Sequence, residues 1–162
     1  MWKKVHRYEK FTVTSNAFKV HITGGSVIIE SNVTGEELKR HKGYNYLYTG
    51  DISPDEKWLF ALENGKHFFV YSLDTLEEIV RVTLPRGYES IDVNGFYSDE
   101  GKILNIPAHK WVKGKTENTG SYEHVICMYE TENYTLINKV PAKRWKTYEW
   151  VIENEKEYWK DC

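Results

Sequence analysis

The chain repeats itself, and the length of the repeat restricts the fold more than any other feature. Moved forward by 41 positions, Phe11–Arg40 lands on Ile52–Arg81, with Gly24 on Gly65, Val27 on Phe68, Ser31 on Ser72, Thr34 on Thr75, Glu36-Glu37 on Glu77-Glu78, Leu38 on Ile79 and Arg40 on Arg81. Apolar runs inside the unit are short: Trp58-Leu59-Phe60-Ala61-Leu62, Phe68-Phe69-Val70-Tyr71 and Ile79-Val80-Arg81-Val82. Runs of this length, rich in aromatic and β-branched residues, read as strands. Between them stand turn sequences, Ser53-Pro54-Asp55-Glu56-Lys57, Glu63-Asn64-Gly65-Lys66 and Leu73-Asp74-Thr75. Proline presets φ for a type I turn, and Asn64-Gly65 reads as a two-residue hairpin turn with positive φ at both positions. Four strands joined by three turns cannot bury two apolar faces alone, so such units build a core by stacking.

A third copy is stretched. Ser98-Asp99-Glu100-Gly101-Lys102-Ile103 follows Ser53–Trp58 at an offset of 45, whereas Tyr129, Ile137, Lys139 and Val140 follow Tyr71, Ile79, Arg81 and Val82 at 58. The excess of 13 residues falls between the second and third strands of that copy, at His109–Tyr122, and reads as a long polar hairpin loop. Insertions in repeat proteins collect on loops that bind, so this segment is the first place to look for function.

The second copy, from Ile52-Ser53-Pro54-Asp55-Glu56-Lys57-Trp58 through Asn64-Gly65 to Phe69-Val70-Tyr71-Ser72-Leu73-Asp74-Thr75, resembles the blades of WD-repeat and YVTN-type β-propellers. In those blades a Ser-Pro-Asp-Gly-Lys turn joins the first two strands and a Val-Tyr-Asp-Leu run forms the third. The resemblance runs from about Phe11 to Val140; Glu56 stands where those blades carry glycine, and their Trp-Asp and Gly-His pairs are absent. It implies an all-β fold of antiparallel four-stranded blades, a partial or oligomer-completed β-propeller. The chain is read as a single propeller-like domain, 1–162, with blades at about 4–41, 45–84 and 89–141 and a C-terminal tail at 142–162. The first strand of the first copy is placed near Val5–Phe11. Closed propellers have at least four blades, so either a homo-oligomer, a dimer, completes the ring, or the tail, with Trp145, Tyr148, Trp150 and Val151, covers one end.

A net charge of −2 and a pI near 6.3 argue against a nucleic-acid backbone or an anionic membrane as the main partner. Cys127 lies in an apolar run and Cys162 ends the sequence, a spacing that suggests neither disulfides nor metal. With no apolar signal segment and no membrane-length run, a cytoplasmic location is expected.

Candidate chemistry is sparse. His21-Ile22-Thr23 matches the His-x-Thr half-motif of the two-histidine phosphoesterases, but His67-Phe68-Phe69, His109-Lys110-Trp111 and His124-Val125-Ile126 lack a hydroxyl at the third place. His21 also falls on Leu62 of the next copy, a strand position. Asp51, Asp55, Asp74, Asp92, Asp99 and Glu100 read as turn residues, and Glu36-Glu37 and Glu77-Glu78 as charged outer strands that resist aggregation. No cofactor or metal, and no catalysis, is expected. Binding candidates are the aromatic and basic residues outside the repeated strands: Tyr44, Tyr46 and Tyr48 before the second copy, Lys110, Trp111, Lys113 and Lys115 in the insertion, and Arg144 and Trp145 in the tail. The expectation is a noncatalytic protein-binding module, in its finer form a stoichiometric inhibitor or immunity-type protein. The alternatives are a small anionic-ligand or nucleotide binder, or phosphoesterase, using His21 and Thr23, and a structural subunit of a homo-oligomer.

Overall fold

The computed structural model describes residues 10–116 and 118–141, and within them contains strands and turns but no helix. The tail candidates Arg144 and Trp145 lie outside the described residues, as does Glu117.

Blade 1 is the meander β1 (Phe11–Thr14), β2 (Phe18–Ile22), β3 (Ser26–Ser31) and β4 (Glu37–Lys42). Blade 2 follows as β5 (Leu47–Ile52), β6 (Trp58–Glu63), β7 (His67–Ser72) and β8 (Glu78–Thr83). Blade 3 contains β9 (Tyr88–Ser90), β10 (Phe96–Tyr97), β11 (Ile103–Lys113), β12 (Gly120–Glu130) and β13 (Leu136–Pro141). There β9 and β10 both pair with β11, so together they form one broken inner strand.

The sequence repeat reappears as a repeat of local geometry. Each third strand carries a bulge against the fourth, between Ile29 and Glu30, Val70 and Tyr71, and Met128 and Tyr129. The following turn is anchored by the residue two places past the start of each bulge. Ser31 Oγ accepts from the Val33 and Thr34 amides at 3.2 and 3.1 Å, and Ser72 Oγ from the Thr75 amide at 3.2 Å. Glu130 takes the same place in blade 3, its carboxylate accepting from the Glu132, Asn133 and Thr135 amides. Each turn ends on a left-handed residue: Gly35 (φ 75°), Leu76 (φ 63°) and Tyr134 (φ 56°).

Three expectations are corrected. The first strand of blade 1 is Phe11–Thr14, not Val5–Phe11. Its pairing, Val13 with Val20 against Gly50 with Ala61 in blade 2, makes Gly50 rather than Pro54 the counterpart of Val13. The connection between the first two strands of blade 2 is longer, and this shifts the inner strand out of the 41-residue frame. Asn64-Gly65 is not a two-residue turn: Leu62 pairs with Phe68, and only Gly65 has positive φ. The insertion is not a loop, since most of it lengthens β11 and β12 to 11 residues each.

Strand alternation sends one side of each blade to each neighbour. Val20, Ile22, Val27 and Ile29 of blade 1 pack against Leu59, Ala61, Phe69 and Tyr71 of blade 2. The opposite face of blade 2, with Phe60, Leu62, Phe68 and Val70, packs against Leu104, Ile106, Ala108, Val125 and Cys127 of blade 3. Blade 2 is thus buried on both sides. Its junction with blade 3 is also polar: Asp51 Oδ2 accepts from the Tyr97 amide at 3.0 Å, and Tyr48 Oη donates to the carbonyls of Ile91 and Val93. Asp51 therefore joins two blades, where sequence placed it at a turn; burial raises its carboxyl pKa against the opposing pull of the Tyr97 and Ile52 amides. The outer strands carry the expected charge, and Lys39 of β4 reaches Glu77 at 2.9 Å across the first junction.

Candidate functional site

The lengthened strands build the most distinctive surface among the described residues. Among the described residues, β9 accompanies β11 only as far as Lys110, and β13 accompanies β12 only from Val125 onward. Beyond those points, Trp111–Lys113 pairs with Gly120–Tyr122 as a two-stranded ribbon projecting from the sheet. Its tip is ordered by backbone bonds: the Gly114 amide donates to the Thr119 carbonyl at 2.7 Å, and the Thr119 amide to the Thr116 carbonyl at 3.1 Å. Thr119 Oγ1 also accepts from the Thr116 amide at 3.1 Å.

Register brings four rings to one face. His109 pairs with His124 and Trp111 with Tyr122, so all four side chains share the side turned away from blade 2. His109 stacks on Tyr122 with centroids 4.2 Å apart and planes 14° apart, and Tyr122 meets Trp111 edge-on at 5.1 Å. His109 and His124 lie 5.8 Å apart. Trp111 is 54% exposed and Tyr122 51%. Gly120 lets the indole lie across the ribbon, because a Cβ there would sit 2.3 Å from Trp111 Cζ2. Burial lowers the His109 pKa, opposed by Glu89 and Asp92; burial, with the neighbouring His109, pushes His124 down to about 4. Both shifts favour the neutral imidazole.

The other face is tied to the blade. Tyr88 Oη donates to Glu123 Oε1 at 3.1 Å, with Lys110 Nζ 5.7 Å and Lys139 Nζ 5.0 Å from the Tyr88 ring centroid. Lys113 and Lys115 are exposed at the tip. Of the insertion candidates, Lys110 is held against Tyr88, whereas Trp111, Lys113 and Lys115 form the free end. Sequence reading missed His109, Tyr122 and His124 as members of the cluster. The signal was there as two alternations, His-x-Trp and Tyr-x-His, and needed the hairpin register to join them.

The three tyrosines before blade 2 are not brought together. The strand begins at Leu47, and Tyr46 adopts φ 58° with its side chain exposed. Tyr44 packs edge-on against Phe69 and donates to Glu78 Oε1 at 3.0 Å. Tyr48 is fully buried, which makes it a packing residue and removes it from any contact surface.

His21 and Thr23 serve the fold separately. The ring of His21, 8% exposed, bonds through Nδ1 to Thr12 Oγ1 at 3.0 Å and through Nε2 to Glu30 Oε1. Thr23 Oγ1 instead meets Ser26 Oγ at 2.7 Å inside a turn. Among the described residues, no group of three His, Cys, Asp or Glu side chains is placed to hold a metal ion, and no helix is long and apolar enough to cross a membrane. An open cleft of about 290 Å³ lies between the first turns of blades 1 and 2, beside Ser15, Asp51 and Glu56. Its carboxylates are occupied by backbone amides of Tyr97, Ile52 and Ala17.

No family model and no curated protein matches the chain. Solved structures do match. Hydrazine synthase of Kuenenia stuttgartiensis aligns at 18% identity and a TM-score of 0.59, over 77% of this chain and 34% of that one. The WD40 repeats of RRP9 align at 10% identity and 0.60, over 86% and 44%. U3-55K aligns at 11% identity and 0.53, over 85% and 54%. The chain thus spans between a third and just over half the length of these structures, and at such identities the likeness is one of fold. Stacked antiparallel sheets with the same bulge and turn in every copy, similar in fold to WD40-repeat structures, make the chain a partial β-propeller built of blade repeats.

Proposed function

We propose that the chain is a noncatalytic protein-interaction module whose principal contact is the β11–β12 ribbon. The observation that carries the proposal is the half-exposed Trp111–Tyr122 pair, set on a projecting ribbon and fixed in place by His109 and Gly120. Large rings held rigid before binding lose little entropy on contact, and rings of this kind dominate the energy of protein interfaces. The fold likeness to WD40 repeats supports the same reading by analogy. In its finer form the module is a cytoplasmic stoichiometric inhibitor of the immunity type, in which binding is itself the activity.

Affinity capture with chemical crosslinking, from the cell in which the protein is made, tests this. The wild-type chain is expected to recover a partner that a Trp111→Ser/Tyr122→Ser variant loses, with the fold of the variant checked by circular dichroism. Recovery of the same proteins by both, or of the chain alone, overturns the proposal; the second result would favour a structural oligomer.

A further inference from the structure

We infer that His109 and His124 form a two-imidazole site for a divalent transition-metal ion of the zinc type, at the base of the ribbon. The inference stands apart from the interaction-module reading, and either can fail without the other. The two residues are directly opposed on β11 and β12, so both side chains leave the sheet on the same side. Cβ atoms of such a pair lie about 4.5–5.5 Å apart. The ring centroids are 5.8 Å apart. That spacing admits one ion bonded to a nitrogen of each ring at about 2.0–2.1 Å. Stacking on Tyr122 holds the His109 ring in place before an ion arrives. Both rings are half-buried, and burial favours the neutral imidazole, which is the form that ligates a metal.

The surroundings select a cation. Glu89 on β9 is directly opposed to His109, so Glu89, His109 and His124 make one row across three strands. Glu89 is exposed, and with Asp92 it sets negative charge beside His109. That field draws in a dication and repels an anion. The donor set then chooses among dications: imidazole nitrogen suits zinc, copper and nickel, whereas magnesium and calcium take oxygen ligands. The protein supplies two ligands, since no group of three His, Cys, Asp or Glu among the described residues is placed to hold an ion, and water fills the remaining positions. The other described histidines are engaged singly: His21 with Thr12 and Glu30, His41 with the Leu76 carbonyl, and His67 with Glu63. An ion held between His109 and His124 ties β11 to β12 where the ribbon leaves the sheet.

The test is calorimetric titration of the full chain, first dialysed against EDTA and then freed of it, with ZnCl₂ and in parallel with MgCl₂. One zinc ion per chain is expected to bind, and to raise the thermal midpoint because it binds the folded state. His109→Gln and His124→Gln should each weaken zinc binding at least about tenfold, since each removes one of two ligands. Glu89→Gln should weaken it by less, and His67→Gln should leave it unchanged. Circular dichroism of each variant separates a lost ligand from a lost fold. A second measurement needs no variant: in the wild-type chain, zinc should protect His109 and His124 from carbethoxylation by diethylpyrocarbonate, read by mass spectrometry, and leave His67 as reactive as before. Zinc binding that survives both histidine changes, or protection that falls on other histidines, places the ion elsewhere and overturns the inference. So does the absence of binding, and magnesium binding as tight as that of zinc overturns the imidazole assignment.

Discussion

Glu56 shows how one side chain substitutes for a glycine that the local backbone favours. Its φ is 58°, in the region where an L side chain is strained, and the matching place in blade 3 is Gly101 with φ 70°. What offsets the strain is reach: the Glu56 carboxylate accepts from the Ala17 amide of blade 1 at 2.9 Å, tying the first turns of two blades together. Glu56→Ala keeps the strain and loses the bond, so its thermal midpoint should fall, and by more than that of Glu56→Gly, which is relieved of strain. Gly101→Ala acquires strain with nothing in return and should cost about 1 kcal/mol in a denaturant titration. Bonds from Ser15 and then Ala17 hold the Glu56 carboxyl below its ordinary pKa, and the Thr135 amide leads a similar set at Glu130. A depressed carboxyl contributes fully above the unfolded pKa and is lost as pH falls through the folded one. Glu56→Gln and Glu130→Gln should therefore flatten the acid limb of the stability curve while changing the slope little near neutrality.

At the scale of the element, blade 3 differs from its fellows through two strands rather than through a loop. The ribbon's histidines make it sensitive to acid. Burial and the neighbouring His109 push the His124 pKa down to about 4, below the ordinary imidazole value of 6.5, so the unfolded chain binds the extra proton first. Stability should therefore rise with pH across that window and decline as pH falls through it. The check is the urea midpoint at pH 5 and pH 7: the wild type should gain over this interval, and His124→Gln should gain less. How far such elements could be read in advance follows from what sets them. β2, β3 and β4 and their counterparts β6, β7 and β8 were legible because side-chain alternation and the turn residues repeat every 41 positions. β1 and β5 were not, because the length of the connection to the strand that follows, and not their own residues, fixes their register. The Lys-rich insertion read as a loop because polar composition hides a pairing such as Trp111 with Tyr122, which only the hairpin register reveals.

At the scale of the molecule, the described blades hold together through blade 2. Tyr48 bridges from its inner strand to the broken inner strand of blade 3, and Tyr97 and Tyr134 share a buried bond of 2.9 Å within blade 3. Tyr48→Phe strands buried carbonyls and should cost about 1–3 kcal/mol in urea. An unchanged m-value would show that the blades unfold as one, and a reduced one that they part. The outward faces of the end blades are unlike. On the side away from blade 2, blade 1 carries a bonded Thr12–His21–Glu30 ladder, whereas blade 3 sets the partly buried Ile91, Phe96, Met128 and Val140 around the fully buried Ile126. We propose that chains associate end to end to complete a ring, because closed propellers have at least four blades. Light scattering should then give a dimer of the 19.1 kDa chain, and a clean monomer would reject ring completion between chains.

The links between blades have a consequence for the ancestry and engineering of such chains. Residues 43–46 join blade 1 to blade 2 and residues 84–87 join blade 2 to blade 3, four residues in each case, both leading to the first strand of the next sheet. A link plus a blade, residues 43–83, is thus an interchangeable cassette of 41 residues whose two ends meet the chain in the same way. In-frame duplication of one such cassette lengthens the array by a whole blade in a single genetic event, with every bulge and turn arriving already in register.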